Sequence, residues 1–243
     1  MGFLFFFFLM AVSLLPSFPA HASQEIWTLE TRKGVTLKAL VTAPPSTPDG
    51  ILILFPGGNG AGHFTERKGQ IHLSENFLVR SSNLFVEQNF VTAIVDAPSD
   101  HSSGMSDQFR SSKDHIQDIT TALNRLVQKW PGTVFLVGTS RGTISVAFLG
   151  TELREECLKG LILTSSIGAS RGRQNLNLFQ LPLDRITVPV LFVHHREDGC
   201  WASGFGDASK MRRQLTRSPK TDFIEVRGGD PPRSDPCQAL RRS

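Results

Sequence analysis

Short, continuous apolar runs recur along the chain, separated by segments with helical spacing, and this alternation most constrains the fold. Ile51 to Phe55, Val91 to Val95, Val134 to Val137, Leu161 to Leu163 and Val188 to Val193 are short and mostly lack polar alternation, as expected of strands covered on both faces. Between them, Phe77 to Gln88 spaces Phe77, Leu78, Leu84 and Phe85 as a helix does. His115 to Trp130 sets Ile116, Ile119, Leu123 and Leu126 on one stripe, stopped by Pro131-Gly132. Thr143 to Leu149 and Asp207 to Leu215 read as further helices, and Phe223 to Val226 as a last strand. Ile26 to Val41 reads as a hairpin or two short strands, with Lys33-Gly34 as a turn, and Asp96 to Ser112 as a polar loop. Parallel strands need crossover helices, and helices stand where crossovers are needed. The expected class is therefore α/β, a largely parallel sheet flanked by helices.

The N-terminus reads separately. Met1 to Pro19 has no charged side chain and contains Phe5-Phe6-Phe7-Phe8-Leu9-Met10; Ala20-His21-Ala22 then precedes Ser23. An apolar stretch followed by small residues is the pattern of a secretory signal peptide, although no Lys or Arg opens it. The stretch before Pro16 is about 15 residues, short of the roughly 20 that span a bilayer. The expectation is a signal peptide over 1–22 and one domain over 23–243. The mature chain would be periplasmic or secreted, with no stable membrane anchor after cleavage.

Composition narrows the classes of function. The 243 residues carry a formal charge of +4 without a dense basic run, so no nucleic-acid partner is expected. The looser set Lys210, Arg212, Arg213, Arg217 and Lys220 reads as a solvated helix face. No metal-ligand spacing is present, and no metal or other cofactor is expected.

The chemistry-bearing motif is Gly138-Thr139-Ser140-Arg141-Gly142, a G-x-S-x-G sequence between an apolar strand and a helical segment. Such a turn holds a serine in a strained conformation, its flanking glycines letting strand and helix approach. Ser140 would stand above the sheet edge, with the Arg141 N–H at the helix start aimed at a developing oxyanion. Upstream, Phe55-Pro56-Gly57-Gly58-Asn59-Gly60-Ala61-Gly62 follows another apolar strand. It lacks the Gly-Lys-Ser/Thr ending of a nucleotide-binding loop and does not fit G-x-G-x-x-G.

With these two motifs the chain resembles the α/β-hydrolase superfamily over nearly all of Gln24 to Asp230. The resemblance implies a catalytic Ser140 and a second oxyanion donor from the backbone N–H of Gly58 or Asn59, with Pro56 where histidine often stands. It implies a catalytic acid after a late strand, where Asp198 fits and Glu197 is the neighbouring alternative. The family's histidine comes after the last strand, but no histidine follows Asp198. The expected fold is accordingly a C-terminally truncated α/β hydrolase. Of the remaining histidines, His194 and His195 end the strand leading to Asp198 and are candidates for a base. At most one of them can face the site, because neighbouring strand residues point to opposite faces. His63 follows the glycine loop, and His101 and His115 follow the strand ending near Val95.

There are three cysteines. In an oxidising compartment a Cys200–Cys237 disulfide is expected, since both lie in loops leaving the same end of the sheet, with Cys157 left as a buried thiol. The first functional reading is an exported serine hydrolase cleaving a small-molecule, ester-like acyl substrate and possessing an incomplete catalytic set. The alternative is a non-catalytic exported binding protein on the same scaffold. A peptidase or thioesterase is a further option.

Overall fold

The computed structural model describes residues 22–62, 64–67, 70–72, 76–171, 175–229 and 237. The signal-peptide reading and His63 lie outside them.

Among the described residues, ten strands and five helices follow in chain order: β1 (Ser23–Arg32), β2 (Val35–Ala43), β3 (Gly50–Phe55), β4 (Thr65–Arg67), β5 (Gln70–His72), α1 (Phe77–Glu87), β6 (Phe90–Val95), α2 (Asp107–Arg110), α3 (Lys113–Lys129), β7 (Val134–Thr139), α4 (Gly142–Glu152), β8 (Leu158–Thr164), β9 (Val190–His195), α5 (Phe205–Arg212) and β10 (Thr221–Val226). Eight strands form one sheet in the order β1-β2-β6-β3-β7-β8-β9-β10, while β4 and β5 make a small separate ribbon. β1 and β2 are an antiparallel hairpin, and β2 meets β6 antiparallel. Every other pairing in the large sheet is parallel.

Strand β3 shows why its sequence is apolar throughout. Ile51, Ile53 and Phe55 enter one core with Ile119, Leu123 and Leu126 of α3 and with Ile144 and Val146 of α4. Leu52 and Leu54 enter the opposite core with Leu78 and Val79 of α1. Alternate residues of a strand face opposite sides, so a strand between two helical layers needs apolar residues at every position. Helix α4 is buried nearly all round, at Ile144, Ser145, Val146, Ala147, Leu149 and Gly150 among others. That fits a central helix rather than an amphipathic surface one. Edge strand β10 is barer: Ile224 is 49% and Val226 40% exposed.

One expectation is corrected. The segment from Asp96 to Ser112 is not a plain loop, because it holds a 3-10 turn over Ser99–His101 and helix α2. Ser106 caps α2 by accepting the Phe109 N–H, and Met105 and Phe109 are buried. The burial comes from packing under the glycine loop, which a polar local sequence does not announce.

Candidate active site

The strand order builds the site. From β3 the sheet grows one way to β6 and the other way to β7, and open α/β sheets place sites at such a reversal. Strands β3 and β7 are neighbours, with Phe55 in register with Gly138. The glycine loop leaving β3 and the serine turn leaving β7 therefore meet.

Ser140 has φ +51°, the left-handed region that costs an L-residue about 1–2 kcal/mol. Its own N–H donates to the Thr164 carbonyl on β8 at 3.0 Å, and its carbonyl accepts from the Thr143 N–H at 2.9 Å. The Thr143 hydroxyl also donates to that carbonyl, at 2.6 Å. These bonds hold the strained turn in place. The glycines are required by space. A Cβ on Gly142 would run into the Phe55 carbonyl oxygen, and one on Gly138 would meet the Gly142 oxygen at 2.7 Å. A Cβ on Gly57 would stand 3.0 Å from the Ser140 Cβ, which puts the glycine loop against the nucleophile candidate.

The N–H groups of Arg141, which follows Ser140, and of Gly58 and Asn59, which follow Gly57, make no hydrogen bond to another described residue. Arg141 occupies the N-cap of α4, where the helix dipole favours negative charge. The glycine loop is pinned on its far side. The Asn59 carbonyl accepts the Met105 N–H at 2.8 Å, the Asn59 side-chain amide donates to the Ser103 carbonyl at 3.3 Å, and Asp96 accepts the Gly62 N–H at 2.7 Å. Donors held in place and bonded to no other described residue are what an oxyanion requires.

A buried polar group beneath this edge was missed by sequence reasoning. Asp107, 2% exposed, accepts from the Arg141 guanidinium at 2.7 and 2.8 Å through one oxygen. Through the other it accepts the Leu176 N–H at 3.0 Å. Beside it lies Arg110, fully buried. Its Nη1 donates to the Ser145 hydroxyl at 3.1 Å and its Nη2 to the Gly58 carbonyl at 3.3 Å. Its Nε finds no partner among the described residues. Burial lowers the Arg110 pKa to about 10, helped by the Arg141 charge and opposed by Asp107. A local signal for this helix is Ser106 at its N-cap with Asp107 in the first turn.

Asp198 lies in the turn after β9, two strands from β7 on the same edge. Its carboxylate accepts the Cys200 N–H at 2.9 Å and the Ser203 hydroxyl at 3.0 Å. Glu197 is two-thirds exposed and 3.8 Å from His195.

Neither strand-end histidine is placed as a base. His194 is buried, its Nε2 accepting the Ser166 N–H at 3.1 Å, so the neutral ring carries its proton on Nδ1. Burial drives its pKa down to about 4 despite the nearby Asp198 and Asp207 charges. His195 accepts the Glu197 N–H on Nδ1 and donates from Nε2 to the Gly228 carbonyl at 2.6 Å, so both its nitrogens are engaged. His115 is buried between Phe55 and Phe109 with its pKa lowered to about 3 by burial and by the Arg110 and Arg32 charges. His101 lies 4.0 Å from the Phe109 ring.

A disulfide joins Cys200 and Cys237, with Cα atoms 4.3 Å apart, and Cys157 is free and only partly buried. Among the described residues no cluster of His, Cys, Asp and Glu could hold a metal ion.

No protein-family model matches the sequence, nor does any curated protein. Solved structures do match in shape. A cold-adapted esterase from an Arctic intertidal metagenomic library superposes with a TM-score of 0.60 at 16% identity, over 85% of each chain. This chain has the α/β-hydrolase fold. Est1E from Butyrivibrio proteoclasticus superposes with a TM-score of 0.58 at 15% identity, over 84% of this chain and 89% of that one. The acylaminoacyl peptidase of Pyrococcus horikoshii reaches 0.62 at 12% identity, over 88% of this chain and 39% of that one. Within the α/β-hydrolase fold, Ser140 stands at the strand-to-helix turn and the glycine loop beside it, as the sequence motifs implied.

Proposed function

We propose that the chain is an exported serine hydrolase acting on small, ester-like acyl substrates. The observation carrying this is the left-handed Ser140, held against Gly57 of the glycine loop, with the N–H groups of Arg141, Gly58 and Asn59 bonded to no other described residue. Ser140 Oγ would attack the carbonyl carbon. Its oxygen would collect charge facing the N–H of Arg141 and that of Gly58 or Asn59. Asp198 would supply the fixed negative charge that orients a base. A cold-adapted esterase among the structural neighbours agrees with this substrate class. The disulfide suits an oxidising, extracytoplasmic compartment.

The described histidines do not complete the set, since His194 and His195 are committed elsewhere. A serine without a base is a weak nucleophile at neutral pH. Donors and binding alone retain roughly 10³-fold over water. The second reading, a binding protein that kept the pocket, is favoured by Ser203, whose hydroxyl already occupies one Asp198 oxygen.

Fluorophosphonate labelling of the purified chain, with Ser140→Ala beside it, separates the two. Labelling lost in the mutant is expected of the hydrolase. A folded wild-type chain that takes no label sinks that reading and leaves the binding protein.

A further inference from the structure

We infer that Arg110 is a positioning residue for the oxyanion site, one guanidinium tying the helix that carries the serine turn to the loop that carries the second donor. The inference rests on the hydrolase reading and names a part of that site beyond the expected serine, acid and donors.

The geometry is specific. Arg110 bonds Ser145 on α4 with Nη1 and the Gly58 carbonyl with Nη2. Arg141, at the start of that same helix, offers one candidate donor, and Gly58 or Asn59 offers the other. The span between the two donors is thus set by a planar, rigid fork. A trans peptide points its N–H opposite to its C=O. Drawing the Gly58 carbonyl inward to Arg110 therefore turns the Asn59 N–H away from the guanidinium. Gly60 has φ +76°, and a Cβ there would strike Arg110 Nη2, so this glycine is required partly by the guanidinium.

The charge has a purpose that stability alone does not explain. Arg110 is fully buried and, among the described residues, bonded only to neutral acceptors, while Asp107, the carboxylate whose charge acts on it, is engaged with Arg141. A buried charge without its own counter-ion is costly. Here it lies directly behind the peptide that faces developing negative charge, where a fixed positive group polarises the donor and needs no reorganisation.

The test compares Arg110→Met and Arg110→Lys with wild type, using p-nitrophenyl acetate turnover and an amide nitrogen–proton correlation spectrum. Arg110→Met is expected to lower kcat about 10- to 100-fold with KM changed less than about twofold, and Arg110→Lys to recover part of the loss. The amide signals of Gly58, Asn59 and Gly60 are expected to move in Arg110→Met. If Arg110→Met does not fold, Ser145→Ala removes one anchor while leaving the charge, and is expected to lower kcat about fivefold at unchanged KM. A folded Arg110→Met, or in its place Ser145→Ala, with wild-type kcat and unmoved loop amides overturns the inference. A wild type inert to the ester whose loop amides still respond to Arg110→Met sinks the hydrolase reading and leaves the loop-positioning role standing. Inert wild type with unmoved amides sinks both.

Discussion

Ser203 donates its hydroxyl to Asp198 Oδ2 at 3.0 Å, giving the candidate acid a partner from its own loop. With the Cys200 N–H on Oδ1, the carboxylate is held without any histidine. Ser203→Ala is expected to cost about 1.5–3 kcal/mol in urea denaturation, the value of a hydrogen bond to a charged group. It should not slow labelling of Ser140. Asp198→Asn should slow labelling about tenfold or more; equal rates in the two variants would remove Asp198 from the site.

The strain at Ser140 yields a trade-off. Glycine adopts φ +51° freely, so Ser140→Gly should abolish labelling while raising stability by roughly 0.5–1 kcal/mol, the left-handed relief less the added chain entropy. A less stable Ser140→Gly chain would mean that the turn is not strained.

Asp107 joins α2, the serine turn and the segment after β8. Asp107→Ala strips a counter-ion from Arg141 and leaves Arg110 with less nearby negative charge. A loss of about 3 kcal/mol is expected in chemical denaturation, together with slower labelling. A change under about 1 kcal/mol would show that solvent screens the pair.

Acid should weaken the fold through two buried histidines. His194 and His115 have pKa values lowered from 6.5 to about 4 and about 3, so each is neutral when folded and protonated when unfolded over the interval between. The unfolded chain then binds more protons, and stability present above about pH 6.5 is lost as pH falls toward about 4. With both groups acting, the slope approaches about 2.7 kcal/mol per pH unit near pH 5. Denaturation curves across this range check it, and His115→Leu should roughly halve the slope. A flat profile from about pH 7 to 5 would contradict both assignments.

The Cys200–Cys237 bond closes 37 residues of chain, worth about 4 kcal/mol in the chain-entropy account. Thiol titration of the purified, unreduced chain in denaturant should find one free group, Cys157, and three after reduction. Three thiols before reduction would exclude the bond in solution.

What the sequence disclosed divides along physical lines. Strands β3, β6, β7 and β9 were legible because double-sided burial demands unbroken apolar runs. The turn at Ser140 was legible because steric need writes glycines into the chain at Gly138 and Gly142. Arg110, Asp107 and Ser203 were not. Their roles depend on partners that lie 52, 34 and 5 residues away, and no local period marks a polar side chain as buried. The engagement of His195 was equally hidden, because it depends on the Gly228 carbonyl beyond β10.

The disulfide also decides how the sheet would yield to force. Strand β10 is an edge strand paired only with β9, the kind of element that peels away when its end is pulled. Tension applied at Cys237 passes through sulfur to Cys200, in the turn just after β9, before it reaches β10. Strand β10 is thereby shielded, and the load falls on β9, which is paired on both sides.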